Sequence, residues 1–203
     1  MIIIGLTGPS GAGKGLCSAY LQAHGIPCID TDRVYHDLLT PSSPCTNELA
    51  LAFGQEILAP DGTVDRKVLG RIVFSDGTGG SAKRLNRIAH KYVIEETWRI
   101  LALYKAEGKA AAVIDAPLLI EAELDQKCDF CICVLADKDV RLARIMERDG
   151  IDVEVASLRL SAQKEDSFYS SACKYTLYNN GNENALYAAL LQIFETEEIP
   201  LEA

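Results

Sequence analysis

The ten residues Gly5-Leu6-Thr7-Gly8-Pro9-Ser10-Gly11-Ala12-Gly13-Lys14 constrain this chain more than any other stretch. From Gly8 they fit the phosphate-binding pattern G-x-x-x-x-G-K, which ordinarily closes on Ser or Thr. Here Gly15 and then Leu16 follow the lysine. Ile2, Ile3 and Ile4 lead into the loop as an apolar, β-branched run, which predicts a buried parallel strand. Residues 16–21 read as a helix. Strand, glycine loop and helix together make the pattern a physical device. Glycine lets the backbone curl so that successive N–H groups point inward. The helix start adds unpaired N–H groups and partial positive charge. Lys14 adds a mobile full charge for the β- and γ-phosphates. The residues expected to cradle a nucleotide are therefore Gly8, Pro9, Ser10, Gly11, Ala12, Gly13, Lys14, Gly15 and Leu16.

A chain of 203 residues predicts one domain with room for an insertion. Hydrophobic residues at 48% and charged ones at 24% suit a soluble globular protein. No apolar run reaches membrane-span length, and residues 1–5 show no basic segment or cleavage site. A cytoplasmic protein is expected. Cys128-x-x-Cys131 has no second pair to complete a metal site, and the seven cysteines are expected to be reduced. A net charge of −9 argues against broad nucleic-acid or membrane binding. A polyphosphate ligand then requires positive charge gathered locally.

Taken in order, the first helix stops near His24-Gly25, and residues 26–29 form a short second strand. Asp30-Thr31-Asp32 follows at its carboxyl end, where open α/β sheets place their chemistry. Residues two apart in extended backbone point the same way, so Asp30 and Asp32 are both expected to face the phosphate site, one of them capping the next helix. Residues 40–44 are a break, and from Cys45 to about His90 the pattern is helical with no alternating strand. It contains a turn at 60–63, a helix over 65–74 capped by Asp65, a loop over 76–81, and a long helix from Ala82 to Glu107. This predicts a helical insertion between the second and third strands. Asp115 ends the apolar strand 111–115, the place of a carboxylate that holds Mg²⁺ directly or through water. The fourth strand covers 130–135. The helix from Lys138 carries Arg141, Arg144 and Arg148 on one face, the expected local positive charge. Residues 152–163 form a further helix, 175–178 a fifth strand, 179–181 a turn and 184–197 the last helix.

With these residues in place the chain resembles the dephospho-coenzyme A kinases over nearly its whole length. The motifs are G-L-T-G-x-x-G-x-G-K from Gly5 to Lys14, I-D-x-D from Ile29 to Asp32, and F-G-x-x-I-L-x-x-D-G from Phe53 to Gly62. V-D-R-x-x-L follows from Val64 to Leu69, I-x-H from Ile88 to His90, D-x-P-L-L-x-E from Asp115 to Glu121, and R-x-x-x-R-D-G from Arg144 to Gly150. A late R-x-x-x-Q falls at Arg159 and Gln163, and an asparagine after the last strand at Asn179.

The resemblance implies transfer of the γ-phosphate of ATP to the ribose 3′-hydroxyl of dephospho-coenzyme A, with Mg²⁺. It implies an α/β fold, a three-layer α/β/α P-loop kinase with a five-stranded parallel sheet. The core would take residues 1–32, 108–140 and 166–203, the acceptor-binding insertion about 33–93, and a mobile lid about 141–165. Asp32 would be the base for the 3′-hydroxyl, with Asp30 second. Lys14 and Arg144 would act on the transferring phosphate. Arg148 would support the donor and Asn179 would border the adenine. His36, Arg66, His90, Pro117, Leu118 and Glu121 would meet the acceptor, together with Asp32. A monomer or weak homo-oligomer is expected. Two departures stand out: Gly15-Leu16 lacks the hydroxyl pair, and Cys173-Lys174 stands where the family has Ala-Asp. Two alternatives remain at this point, another small-molecule or nucleoside monophosphate kinase, and a nucleotide-binding regulator with impaired catalysis. The first lacks a reason for Phe53-Gly54 and Val64-Asp65-Arg66; the second is suggested by Gly15.

Overall fold

The apolar runs become the strands of one five-stranded sheet in the order 2-3-1-4-5. They are β1 (Ile2–Thr7), β2 (Cys28–Asp30), β3 (Ala111–Asp115), β4 (Phe130–Leu135) and β5 (Tyr175–Tyr178). β1 lies in the centre and pairs in parallel with β3 and β4, and β5 pairs in parallel with β4. Every residue of β4 is buried, as a strand covered on both faces requires. The computed structural model describes residues 1–75, 77 and 79–201.

The helices are α1 (Lys14–Ala23), α2 (Thr31–Leu38), α3 (Pro44–Phe53), α4 (Arg66–Ser75), α5 (Gly80–Ala106), α6 (Lys138–Asp149), α7 (Val153–Ser161), α8 (Asp166–Ala172) and α9 (Glu183–Thr196). Their starts follow local chemistry. Ser43 caps α3 by accepting from the Thr46 amide, with Pro44 in the first turn where a missing N–H costs nothing. Asp65 caps α4, as its sequence predicts, by accepting from the amides of Lys67 and Val68. Among the described residues no helix is long and apolar enough to cross a membrane.

The chain divides into two compact units. The first holds residues up to Ile29 and from Leu101 onward, with the sheet and its flanking helices. Its core joins Ile4 and Leu6 of β1, Cys17 and Leu21 of α1, Ile132 and Val134 of β4, and Leu190 and Phe194 of α9. The second, Asp30–Ile100, contains the expected insertion 33–93. Its own core gathers Leu49 and Phe53 of α3, Ile57, Val64, Leu69 and Val73 of α4, and Ile88 of α5. One isolated antiparallel bridge, Leu58 with Val64, closes the turn there.

Some boundaries differ from expectation. α5 starts at Gly80, within the predicted loop 76–81, of which Asp76 and Thr78 lie outside the described residues. α8 has no counterpart in the sequence pattern, because its seven residues give too short a period to read.

Two leucines on α3 separate core from surface. Leu49 is fully buried and Leu51 is 83% exposed. Leu49→Ala is expected to destabilise by about 2–5 kcal/mol and Leu51→Ala by less than about 0.5 kcal/mol. Urea unfolding followed by circular dichroism checks this; equal midpoints would mean that the Leu49 site collapses without loss.

Candidate functional site

The loop between β1 and α1 is held by its carbonyl groups. Arg141 Nε donates to Ser10 O at 3.1 Å, Arg144 Nη1 to Gly11 O at 3.2 Å, and Asn179 Nδ2 to Ala12 O at 2.9 Å. Consecutive carbonyls turned toward these donors leave the loop's other side to its amides. Two glycines permit the close approach. A Cβ on Gly8 (φ +139) would lie 2.2 Å from Val134 O, and one on Gly13 (φ +100) would lie 2.1 Å from Asn179 Nδ2.

Some positions of the expected cradle have no N–H or have it bonded within the protein. Pro9 has no N–H. The Ser10 amide donates to Gln163 Oε1 at 2.8 Å, and the Ala12 amide turns to Pro9 O at 3.2 Å. Gly13 is the N-cap of α1, so the amides of Lys14 and Gly15 lie in its first turn, where a helix offers no partners of its own.

Arg141, Arg144 and Arg148 do share one face of α6, but their destinations differ from expectation. Arg141 is 2% exposed and also donates to Gln163 Oε1 at 2.7 Å and Asp166 at 3.4 Å. Burial pulls its guanidinium below its ordinary pKa, against the opposing charge of Asp166. Arg144 reaches Asn179 O at 3.0 Å and Asn179 Oδ1 at 3.3 Å as well as the loop. Arg148 reaches Ser10 Oγ at 3.3 Å and pairs with Asp149, whose carboxylate also takes Arg159. Thus α6, which begins the predicted lid, is tied to the loop through three arginines. Asn179 directly follows β5, behind the loop. Its side chain is buried and its amide is spent on the loop, since a buried amide must find partners. Gln163 is a loop-holding residue whose function the sequence did not reveal; only its place in R-x-x-x-Q marked it.

Asp115 ends β3 in register with Leu6. Ser18, on the buried face of α1, donates to Asp115 Oδ2 at 2.5 Å. The thiols of Cys17 and Cys28 lie close by and are both pushed up to about 12, by burial first and by the charge of Asp115 second. Gly15 sits inside α1, and a Cβ there would meet nothing within 4 Å. The backbone path therefore does not require glycine at this position. Beyond Asp115, Pro117 is half-buried, while Leu118 and Glu121 are exposed.

In the second unit the alternation expected of Asp30 and Asp32 fails. β2 stops at Asp30 and α2 starts at Thr31, so Asp32 lies in the first helical turn. Asp30 Oδ1 accepts from the amides of Asp32 at 2.9 Å and Arg33 at 3.1 Å. Capping thus occupies Asp30, and Asp32 is exposed. A cavity of about 320 Å³ within this unit is lined by His36, Asp37, Leu39, Thr40, Thr63, Val64 and Arg66. It brings two predicted residues, His36 and Arg66, to one place. His90 is half-buried on α5 and is not among the lining residues.

A family model described as dephospho-CoA kinase matches residues 2–185. Among curated relatives, a dephospho-CoA kinase of Symbiobacterium thermophilum is 40% identical over 163 residues, covering 80% of this chain and 67% of that one. That of Shouchella clausii is 34% identical over 184 residues, covering 91% and 92%. A crystal structure from Thermus thermophilus superposes with a TM-score of 0.76 at 28% identity, covering 96% of this chain and 97% of that one.

The two glycines that flank Lys14 should respond oppositely to alanine. Gly13→Ala meets Asn179 in a left-handed backbone and is expected to cost about 1–3 kcal/mol of stability. It should also weaken binding of a fluorescent ATP analogue at least about tenfold, since it would re-aim amides expected to hold the phosphates. Gly15→Ala is expected to raise stability by about 0.4–1 kcal/mol. Thermal unfolding and analogue titration of both variants check this; a tolerated Gly13→Ala would show that Asn179 yields and that the loop is held elsewhere.

Proposed function

The chain belongs to the dephospho-CoA kinase family and transfers the γ-phosphate of ATP to the ribose 3′-hydroxyl of dephospho-coenzyme A, the last step of coenzyme A synthesis, and we propose which of its residues carry out each part. The observation that carries this assignment is the trio of loop carbonyls bonded to Arg141, Arg144 and Asn179. It supports a loop whose remaining amides, with Lys14, receive the β- and γ-phosphates.

Phosphoryl transfer needs positioning and charge neutralisation more than covalent chemistry. Asp32 takes the role of base or orienter for the 3′-hydroxyl, because Asp30 is committed to its cap and Asp32 is exposed. Arg144 supplies charge beside the γ-phosphate while keeping the loop in shape, and Arg148 supports the donor from the end of α6. Asp115 holds Mg²⁺ through water. One carboxylate plus substrate phosphates suits that ion, and among the described residues no three metal-binding side chains gather on their own. When bound there, Mg²⁺ would neutralise charge developing on the transferring phosphate. The cavity with His36 and Arg66 takes an anionic part of the acceptor, and the insertion 33–93 is its binding domain. His90, Pro117, Leu118 and Glu121 are assigned to the acceptor on their motifs alone. Residues 141–165 take the role of the lid.

The assignment is tested by ADP release with dephospho-coenzyme A against AMP, CMP and adenosine as acceptors. Asp32→Asn is expected to lower kcat about 10²–10⁴-fold with little change in ATP affinity. A near wild-type rate in Asp32→Asn, with Asp30→Asn inactive, would reverse the two roles.

Arg144→Ala is expected to lower kcat more than it raises the KM for ATP, and Arg144→Lys to rescue only part, since the planar fork is lost. If Arg144→Ala lowers the melting temperature and leaves kcat intact, the side chain serves the loop alone.

A further inference from the structure

Loops that close on G-K-[ST] carry a hydroxyl beside the lysine, next to the carboxylate that ends the neighbouring strand. This chain has Gly15 and Leu16 there. Its hydroxyl lies one helical turn beyond Lys14, at Ser18, and is 9% exposed. Ser18 Oγ has one proton and two acceptors in range, Asp115 Oδ2 at 2.5 Å and Lys14 O at 3.4 Å. The shorter contact falls in the range of bonds from a hydroxyl to an ionised carboxylate, so the proton is directed to Asp115.

A carboxylate at the end of a strand turns readily about its last torsion, which has broad, two-fold preferences. The bond from Ser18 fixes the place of one oxygen and so contributes to the orientation of the whole group. We propose that Ser18 is a positioning residue that holds the carboxylate of Asp115 in the orientation in which it meets the metal's water. It acts through Asp115 and does not ligate the metal, because one helical turn, about 5 Å, exceeds a ligand distance of about 2 Å. Ser18 thereby replaces, from four positions along α1, the ordering that a hydroxyl at position 15 gives elsewhere. The inference rests on the reading of Asp115 as the carboxylate of the magnesium site.

The test uses the full chain and equilibrium binding of a fluorescent ATP analogue, with magnesium absent and present. Turnover and thermal midpoint are recorded in parallel. Ser18→Ala is expected to bind the analogue without magnesium as the wild type does. Its tightening by magnesium should fall about tenfold, the effect of losing one hydrogen bond to a charged group. The magnesium concentration for half-maximal turnover should rise similarly, and Ser18→Thr should retain most of the effect. In Gly15→Ser/Ser18→Ala the new hydroxyl enters open space and should restore a large part of the magnesium response. Should Ser18→Ala not fold, Ser18→Cys, of similar size and a weak donor, carries the same expectation. A lower thermal midpoint with the magnesium effect intact would make Ser18 a tether between α1 and β3 and overturn the inference. Asp115→Asn separates the levels. If it leaves the magnesium effect unchanged, the metal assignment fails and this inference with it. If it abolishes the effect while Ser18→Ala does not, only the inference fails.

Discussion

Three consecutive carbonyl oxygens, those of Ser10, Gly11 and Ala12, each receive a hydrogen bond from a side chain behind the loop. This is the constraint on which the site depends. A peptide chain cannot turn a run of amides toward a ligand without turning carbonyls the other way, and buried carbonyls need donors. Hydrogen bonds from charged donors contribute about 1.5–3 kcal/mol each, more than neutral ones. The loop's shape is thus set by α6 and by the residue after β5, not by its own sequence alone.

Arginine suits this position for geometric reasons. At Arg141, Nε meets Ser10 O, Nη2 meets Gln163 Oε1 and Nη1 faces Asp166, three directions that a lysine ammonium on a flexible stem does not hold together. The Gln163 oxygen receives both that guanidinium and the Ser10 amide, so the end of α7 is joined to the loop through the same knot. The positive charge that an acidic chain must gather for a polyphosphate is therefore partly consumed in building the site.

The strands and the phosphate loop were legible because each carries a local signature, an apolar β-branched run or glycines in register with a lysine. The single face of Arg141, Arg144 and Arg148 was legible too, since it follows from helical period. What that face meets was not, because period specifies a side of a helix and never its neighbour. Asn179 shows the same limit: its position was marked, but its burial against Ala12 O depends on how β5 closes behind the loop. The pairing of Asp30 with Asp32 failed for a different reason. A strand's alternation holds only while the strand lasts, and Asp30 ends it by capping α2. The bond of Ser18 runs across to β3, a partner that helical period does not specify.

The thiols beside Asp115 have a chemical consequence. Only a thiolate attacks electrophiles and peroxides at a useful rate. With Cys17 and Cys28 pushed up to about 12, by burial first, little thiolate forms at neutral pH. Burial first, and the Asp115 carboxylate second, favour the protonated thiols, which disfavours sulfur oxidation and alkylation at this end of the strand. This corner of the molecule is rich in sulfur yet unreactive.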